Sequence, residues 1–424
     1  MKRLSLLLFA LVCYTSPLLA QDFWEIINTP PDLTINSIET NSNEELFIGV
    51  AFPTQGGGIL HKLPDKQNWD TILYLNNDVI GPIYIDDVDN IFAASGIVYF
   101  SDNNGLSWSQ IFETPMLGIN SVFKSSVGSV FVGFWGGIYK SDSIGSDFYE
   151  VLLLENHEVV NAIIEDTMKG ELFAGTINFF GGGGVYRSTD GGNTWEHFGL
   201  TDHYVSSLAI NSTGDLFAGT RGHDSLGTGG VFKLPFGHTE WINLSSQELA
   251  TSIAINSEDE IYIGCSLLDW NYGGVRVSKD NGVTWEDMDT GMGRQDIEKL
   301  ALGSDEHLYA LAVNSETPLF KTVQSTITSQ QEVLADNSII TYNYPNPFTN
   351  ETTISYTLHS NETVEVEIAI YNSHGEQVNE MIIPENCRNE HSIKFNAAFL
   401  PAGIYYYKLT NGNRCILRKM VLLK

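Results

Sequence analysis

The sequence is poor in positive charge, and it has no long apolar run beyond its first residues. It contains 22 Lys and Arg against 52 Asp and Glu, a formal net charge of −30 over 424 residues. A surface this acidic repels nucleic acid and anionic lipid, so neither is expected as a partner. No later stretch approaches the roughly 18–20 apolar residues that span a bilayer, and no transmembrane segment is expected.

The motifs of common catalytic centres are also absent. The sequence has no zincin, Walker, nucleophile-elbow or CxxC arrangement. It therefore names no catalytic residue and no cofactor. The acidic excess favours solubility, or it attracts cations such as Ca²⁺, but no metal-ligand set can be identified.

Cysteine is scarce, with 4 in the chain. Cys265 falls in a strand pattern and is expected to be a small buried apolar residue. Cys387 and Cys415 fall in the same C-terminal region and are able to pair in an oxidising compartment. The sequence leaves open whether they do.

The first 20 residues have the pattern of a signal peptide. Met-Lys-Arg precedes an apolar run from Leu4 to Val12, and a short segment then ends on the small residue Ala20. Cleavage after Ala20 predicts a secreted chain.

One sequence pattern recurs along the middle of the chain: an apolar strand, a polar turn, and a second strand of the form Leu-Phe-Ala-Gly-Thr. Its aromatic residue falls at Phe47, Phe92, Phe131, Phe173, Phe217, Tyr262 and Tyr309. The spacings are 45, 39, 42, 44, 45 and 47 residues, which is the length of a four-stranded propeller blade.

A fourth strand opening on an aromatic residue follows in six repeats, but the seventh ends after its third strand, near residues 319–323. The missing strand is expected at the other end of the mature chain, where Phe23-Trp24-Glu25-Ile26-Ile27 has a strand pattern. Pairing of the two ends would close the ring and remove the open edge. The sequence therefore predicts an all-β fold whose first domain, residues 21–323, is a seven-bladed β-propeller closed by its N-terminal strand.

The turn between the third and fourth strands carries a second motif, S-x-D-x-G-x-T-W. Two copies match throughout: Ser188, Asp190, Gly192, Thr194 and Trp195, and Ser278, Asp280, Gly282, Thr284 and Trp285. The motif resembles the Asp-box of BNR-repeat propellers, a group that includes sialidases, sortilin-like receptors and xyloglucanases. Asp is expected to accept backbone N–H bonds across the turn, Gly to take a positive φ and Trp to pack between blades, which is a structural role.

A ligand is expected on the opposite face, where the loops joining strands two to three and four to one meet. The predicted ligand-binding residues are Trp135, Phe179, Phe180, Arg221, His223, Asp224, Trp270 and Tyr272. Aromatic planes with a few polar groups suit sugar or peptide binding. The alternative is that the two tryptophans plug the central channel or cover blade edges.

The C-terminal region has a different pattern. A polar linker, residues 324–341, precedes Tyr344-Pro345-Asn346-Pro347-Phe348, alternating strands and Leu400-Pro401-Ala402-Gly403. Short strands with Pro and Gly turns predict a small Ig-like β-sandwich over residues 342–424. The order of these motifs resembles the type A sorting domain of the type IX secretion system of Gram-negative bacteria. That resemblance implies export across both membranes, with the secretion machinery as partner, and release or attachment at the cell surface.

Three functions remain open on the sequence. The first is a non-enzymatic surface protein whose propeller binds a glycan or a protein. The second is a secreted glycan-active hydrolase of the BNR-repeat type, although the Arg-Ile-Pro motif of sialidases is absent and arginines are few. The third is a purely structural surface protein.

Overall fold

The protein is built from β-strands, as a computed structural model of the chain shows. The described residues are 23–53, 56–114, 118–154, 158–178, 182–221, 229–245, 249–266, 273–313, 315, 318–326, 339–344, 348–358, 366–372, 377–383, 390–411 and 414–423. The chain divides into two compact units, Met1–Ile327 and Thr328–Lys424. Within the described ranges, no helix is long and apolar enough to cross a membrane.

The described part of the first unit forms seven four-stranded antiparallel sheets, here called blades 1 to 7. The strands are β1 (Trp24–Ile26); β2 (Thr34–Thr40), β3 (Leu46–Ala51), β4 (Gly57–Lys62) and β5 (Asp70–Leu75) in blade 1; β6 (Ile83–Ile85), β7 (Ile91–Ala94), β8 (Ile97–Ser101) and β9 (Ser109–Glu113) in blade 2; β10 (Ile119–Lys124), β11 (Val130–Phe134), β12 (Gly137–Ser141) and β13 (Tyr149–Leu153) in blade 3; and β14 (Val159–Asp166), β15 (Glu171–Ile177), β16 (Gly183–Ser188) and β17 (Glu196–His197) in blade 4. They continue with β18 (Tyr204–Ile210), β19 (Leu216–Arg221), β20 (Gly230–Leu234) and β21 (Ile242–Ser245) in blade 5; β22 (Ala250–Ile255), β23 (Ile261–Cys265), β24 (Gly274–Ser278) and β25 (Glu286–Asp287) in blade 6; and β26 (Asp296–Leu302), β27 (Leu308–Val313) and β28 (Leu319–Thr322) in blade 7.

The N-terminal strand supplies the outer strand of the last blade. β1 pairs antiparallel with β28, with Trp24 opposite Thr322. Trp24 is buried, and its indole N–H donates to the carbonyl of Met288 in blade 6 at 2.5 Å. Because the two ends of the unit lie in one sheet, blade 7 is complete.

The ring is held by apolar contacts between successive blades. The seven repeating aromatic side chains, from Phe47 to Tyr309, are all buried. One hydrophobic cluster joins Ile38 and Ile48 of blade 1 to Leu311 and Leu319 of blade 7. The seven-bladed all-β fold predicted from the repeat is confirmed.

A glycine recurs in the second strand of most blades because it faces the neighbouring blade at close range. A Cβ added to Gly133 would lie 2.3 Å from Ser121 Oγ and 2.8 Å from Val160 Cγ1 of blade 4. A Cβ added to Gly49 would lie 2.9 Å from Cγ2 of Ile80, which leads into blade 2. The glycine of the repeated pattern is therefore a packing requirement between blades.

Polar contacts link neighbouring blades at the turns between first and second strands. Ser42 donates from its backbone N–H and from its hydroxyl to the carboxylate of Asp89, at 2.8 and 2.5 Å. Ser212 makes the same pair of bonds to Asp259 at the same distances. Each pair joins residues 47 apart in sequence, about one repeat, so the contact links a blade to the next.

The second unit contains two antiparallel sheets. Its strands are β29 (Ile339–Tyr344), β30 (Glu351–Leu358), β31 (Val366–Asn372), β32 (Gln377–Ile383), β33 (Glu390–Asn396), β34 (Gly403–Asn411) and β35 (Arg414–Leu422). The sheet orders are β29-β30-β33 and β32-β31-β34-β35. One hydrophobic cluster takes Ile354 and Tyr356 from the first sheet and Ile368 and Tyr407 from the second, so the sheets share a core.

The segment assigned to the linker is partly structured. Thr326 is buried, and its N–H donates to the carbonyl of Glu306 in blade 7 at 2.7 Å. β29 already begins at Ile339. Cys265 is buried as a free thiol; Cys387 lies outside the described residues, and the Cys387–Cys415 disulfide stays a prediction.

Candidate functional site

A polar cavity of about 510 Å³ lies at the centre of the propeller. Its wall takes residues from the innermost strand of every blade, from Ser37 in β2 to Leu300 in β26. Gly81 and Pro82, just before β6, also line it, and Arg221 comes from the end of β19, where the loop to the third strand begins. The cavity is therefore the central channel of the ring.

A β-bulge in six of the seven described innermost strands gives the channel its polar wall. The register shifts leave one residue of each strand unpaired: Asn36, Asn120, Asn161, Ser206, Thr251 and Glu298. All six are polar, and all six line the cavity. A bulge redirects a side chain that the strand would otherwise pair, so the same irregularity in six blades assembles a ring of amide, hydroxyl and carboxylate groups.

Hydrogen bonds between blades hold this wall. Thr251 donates from its hydroxyl to the carbonyl of Ile297 in blade 7 at 2.6 Å. Asn36 donates from its amide to the carbonyl of Ile80 at 2.8 Å. Ser121 donates to the carbonyl of Val160 at 2.9 Å. The wall is fixed before any ligand arrives, which lowers the entropy cost of binding.

The charges of the wall occur in pairs. Arg221 Nη2 lies 2.5 Å from Glu298 Oε1, and Lys299 Nζ lies 3.6 Å from Glu39 Oε1. These four are the charged residues of the cavity wall, so the channel carries no net charge in a strongly acidic protein. Burial in the channel raises the pKa of the Glu39 carboxyl above its ordinary value, and the Lys299 ammonium partly offsets the rise.

Three side chains of the wall have an unsatisfied polar atom. Ser37 Oγ, Ser206 Oγ and Arg221 Nε are buried with no hydrogen-bond partner among the described residues. A buried polar group without a partner is costly and rare. Two of the three belong to neighbouring strands of blade 5: Ser206 is the bulged residue of β18, and Arg221 ends β19 opposite Tyr204.

The predicted loop-face residues fall mostly outside the described part of the chain. Those outside it are Phe179, Phe180, His223, Asp224, Trp270 and Tyr272. Trp135 directly follows β11, pairs with Val159 through an isolated bridge and is 44% exposed. Arg221 lies in the channel wall. The bulged residues were missed, although a polar pair such as Asn36-Ser37, Asn120-Ser121 or Thr251-Ser252 interrupts the apolar alternation of each strand.

The two full S-x-D-x-G-x-T-W turns have the same hydrogen-bond pattern. Asp190 accepts from the backbone N–H groups of Asn193 and Thr194 at 3.0 and 2.9 Å and from the Thr194 hydroxyl at 2.8 Å. Asp280 accepts from the N–H and hydroxyl of Thr284 at 2.7 and 2.6 Å. The bonds from Thr194 lower the pKa of Asp190 to about 2. Both oxygens of each aspartate therefore accept a hydrogen bond from within the turn.

The glycine of this turn packs against the preceding blade. Gly192 has φ +81°, and a Cβ there would lie 2.2 Å from Phe131 Cε1 of blade 3. Gly282 has φ +88°, with Leu244 Cδ1 of blade 5 at 2.3 Å from the added atom. Both positions need a residue with no side chain and a left-handed backbone.

A smaller cavity of about 270 Å³ lies between blades 4 and 5, beside the turn that begins Lys233-Leu234-Pro235 and replaces the motif. Its rim stacks cations on aromatic rings: Lys169 Nζ lies 4.0 Å from the Phe236 ring centre, and the Arg187 guanidinium lies 4.1 Å from that of Phe198. Within the described ranges, no group of three or more His, Cys, Asp or Glu side chains is placed to hold a metal ion. Calcium binding stays a prediction.

Comparison with known proteins identifies the C-terminal region. Residues 343–423 match the secretion system C-terminal sorting domain, as predicted from the sequence. This match implies secretion and a cell-surface location. No curated protein matches the sequence.

The propeller is similar to solved propeller structures at low identity. YCF48 bound to a D1 peptide is 17% identical with a TM-score of 0.54, over 72% of this chain and 99% of that one. The GH74 xyloglucanase of Xanthomonas campestris is 12% identical with a TM-score of 0.53, over 79% of this chain and 59% of that one. An oligogalacturonate lyase in complex with manganese is 11% identical with a TM-score of 0.54, over 72% and 93%. These likenesses establish the β-propeller fold alone.

Proposed function

We propose that the protein is exported by type IX secretion and that its propeller binds a glycan or protein ligand at the mouth of the central channel, without catalysis. The observation that carries the proposal is the channel itself: about 510 Å³, lined by a polar bulged residue from six of the seven blades, with its charged side chains in opposite pairs. Its volume falls within the roughly 300–1,000 Å³ of small-molecule sites. Trp135, exposed at the end of β11, adds an aromatic surface outside the channel.

Binding without reaction is favoured by the state of the carboxylates. A glycoside hydrolase needs one carboxyl group that donates a proton and a second that acts as a base or nucleophile. Glu298 is held by Arg221, and Glu39 by Lys299. Each carboxylate thus has an oxygen directed at a cation of the wall, which leaves it less free to approach a substrate than a catalytic acid or base must be.

A glycan-active hydrolase is the second candidate. Glu39 and Glu298 line the same cavity, and burial raises the pKa of Glu39, as in a general acid. Two of the similar folds belong to proteins named as a xyloglucanase and an oligogalacturonate lyase. A propeller named as bound to a peptide supports instead the protein-ligand form of the first proposal.

The S-x-D-x-G-x-T-W turns are proposed to be Asp-boxes of the BNR-repeat type with a structural role. Their aspartates bond within the turn, and their glycines fit against the preceding blade. The export route is proposed to begin with cleavage of a signal peptide at Ala20 and to end with recognition of a type A sorting domain.

The test uses the purified mature chain and a panel of polysaccharides and secreted proteins, scored for retention and for new reducing ends. Retention without cleavage is the expected result. Cleavage that is lost in Glu39→Gln or Glu298→Gln would establish the hydrolase instead. Failure of every polysaccharide and every protein to be retained would refute both candidates and leave a structural role.

A further inference from the structure

The geometry points to a specific recognition centre in the channel: Ser206, Arg221 and Glu298 bind adjacent hydroxyl groups of a neutral carbohydrate. The inference rests on the proposed binding function and names the ligand class and the residues that hold it. All three residues are described, and all three line the cavity of about 510 Å³.

The three side chains line one cavity although they come from two blades that are not adjacent. Ser206 and Arg221 belong to neighbouring strands of blade 5, and Glu298 is the bulged residue of blade 7. The Arg221 side chain reaches past blade 6 to place Nη2 at 2.5 Å from Glu298 Oε1, across 77 residues of sequence. This bridge spans the channel wall, so a ligand inside the channel lies against it.

The bridge leaves both kinds of hydrogen-bonding group for a ligand. Arg221 Nε is a buried donor with no partner among the described residues, and Ser206 Oγ, which lines the same cavity, is likewise unsatisfied. The bond to Arg221 engages Oε1 of Glu298, which leaves Oε2 as an acceptor. A sugar hydroxyl both donates and accepts, so one hydroxyl can accept from Arg221 while its neighbour donates to Glu298.

The charges select a neutral ligand. The pairs Arg221–Glu298 and Lys299–Glu39 cancel within the wall. An anion would meet the field of a protein with a formal net charge of −30, and a cation would meet Arg221 and Lys299. A neutral polyhydroxyl compound avoids both repulsions, and its hydroxyl groups can hydrogen-bond to the buried Arg221 Nε and Ser206 Oγ.

The experiment measures binding of neutral tetrasaccharides (cellotetraose, xylotetraose, mannotetraose and maltotetraose) to the full mature chain by calorimetry, with tetragalacturonate as the anionic probe. At least one neutral probe is expected to bind, and tetragalacturonate at least tenfold more weakly. Arg221→Met and Glu298→Gln should each weaken the neutral probe tenfold or more.

The matched controls are Arg187→Met and Glu196→Gln. Arg187 and Glu196 form a bridge of the same chemistry and the same 2.5 Å length on the outer strands of blade 4, and their replacement should change affinity less than twofold. Ser206→Ala separates binding from folding, because the Ser206 hydroxyl bonds to nothing described. It should not lower the melting temperature, and it should weaken binding of the probe at least threefold.

The possible results distinguish failure of the recognition centre, failure of the ligand class and failure of the proposed binding function. Neutral binding that survives Arg221→Met and Glu298→Gln would overturn the recognition centre while leaving the binding function in place. Binding of tetragalacturonate alone, or of none of the five probes when a secreted protein is retained, would overturn the ligand class. If neither probes nor proteins bind, the proposed function itself fails.

Discussion

Replacing Trp24 with alanine tests whether the N-terminal strand closes the ring. Trp24 is 2% exposed and belongs to the hydrophobic cluster shared by blades 6 and 7. Its indole N–H reaches the carbonyl of Met288 in blade 6. Loss of the side chain therefore removes a contact between two blades as well as one within the last blade.

The magnitude follows from burial and from the lost hydrogen bond. Removing a buried Trp side chain costs about 3–5 kcal/mol in unfolding free energy, and leaving the Met288 carbonyl without its donor adds about 1 kcal/mol. A total of about 5 kcal/mol corresponds to roughly 10 °C in melting temperature, at roughly 2 °C per kcal/mol for a domain of this size. Trp24→Phe keeps most of the volume and should lose about 1–2 kcal/mol.

Intrinsic fluorescence during thermal and urea unfolding is a selective assay, because all 8 tryptophans precede residue 286 and report on the propeller. Phe23→Ala is the matched control: Phe23 is the adjacent residue, 52% exposed, and should cost under about 0.5 kcal/mol. Equal stability of the Trp24→Ala and Phe23→Ala proteins would refute closure of the ring by this strand.

Three further predictions concern packing, a turn and a thiol. Gly133→Ala should destabilise the propeller by about 1–3 kcal/mol through overpacking, whereas Gly96→Ala, with nothing within 4 Å of the added atom, should change the melting temperature little. Asp190→Asn should lower the free energy of unfolding at pH 7 by about 1 kcal/mol. Because folding lowers the Asp190 pKa from 3.8 to about 2, the stabilisation by the carboxylate is present above pH 4 and disappears as the pH falls through 2. A loss of stability in Asp190→Asn that is as large at pH 2 as at pH 7 would contradict the assigned bonds. Burial raises the pKa of the Cys265 thiol to about 12, so a maleimide should label Cys265 only after unfolding, as peptide mass spectrometry can show; rapid labelling of the folded chain would contradict its burial.

The blade count could be predicted because its signals are local and periodic. An aromatic such as Phe131 or Phe217 fills the same position in each blade, so its spacing in sequence equals the length of a blade. The turn around Asp190 could be predicted for a similar reason: its donors and acceptors lie within eight residues of one another.

The channel could not be predicted by the same reasoning. Whether Asn120 or Ser206 faces the axis depends on a one-residue register shift against the partner strand, and local propensity does not determine that shift. The contact between Arg221 and Glu298 crosses an intervening blade, so it exists only once the ring is closed. The hydrogen bonds from Ser212 to Asp259 join two successive repeats. Their trace in the sequence is weak: a serine follows the asparagine of one turn, and an acidic residue occurs in the matching turn of the next repeat.

The polarity of the channel is a property of this sequence rather than of the ring. Blade packing is satisfied by the glycines at the close approaches and by hydroxyls such as Ser121 that bond to the next blade. An apolar residue in place of Ser206 would meet the same steric conditions and remove an unsatisfied buried hydroxyl, which should make the fold more stable. The chain instead carries polar groups at all six bulges, and Arg221 Nε has no hydrogen-bond partner among the described residues. The ligand proposed for the channel would give Ser206 Oγ and Arg221 Nε the hydrogen-bond partner that the described residues do not provide.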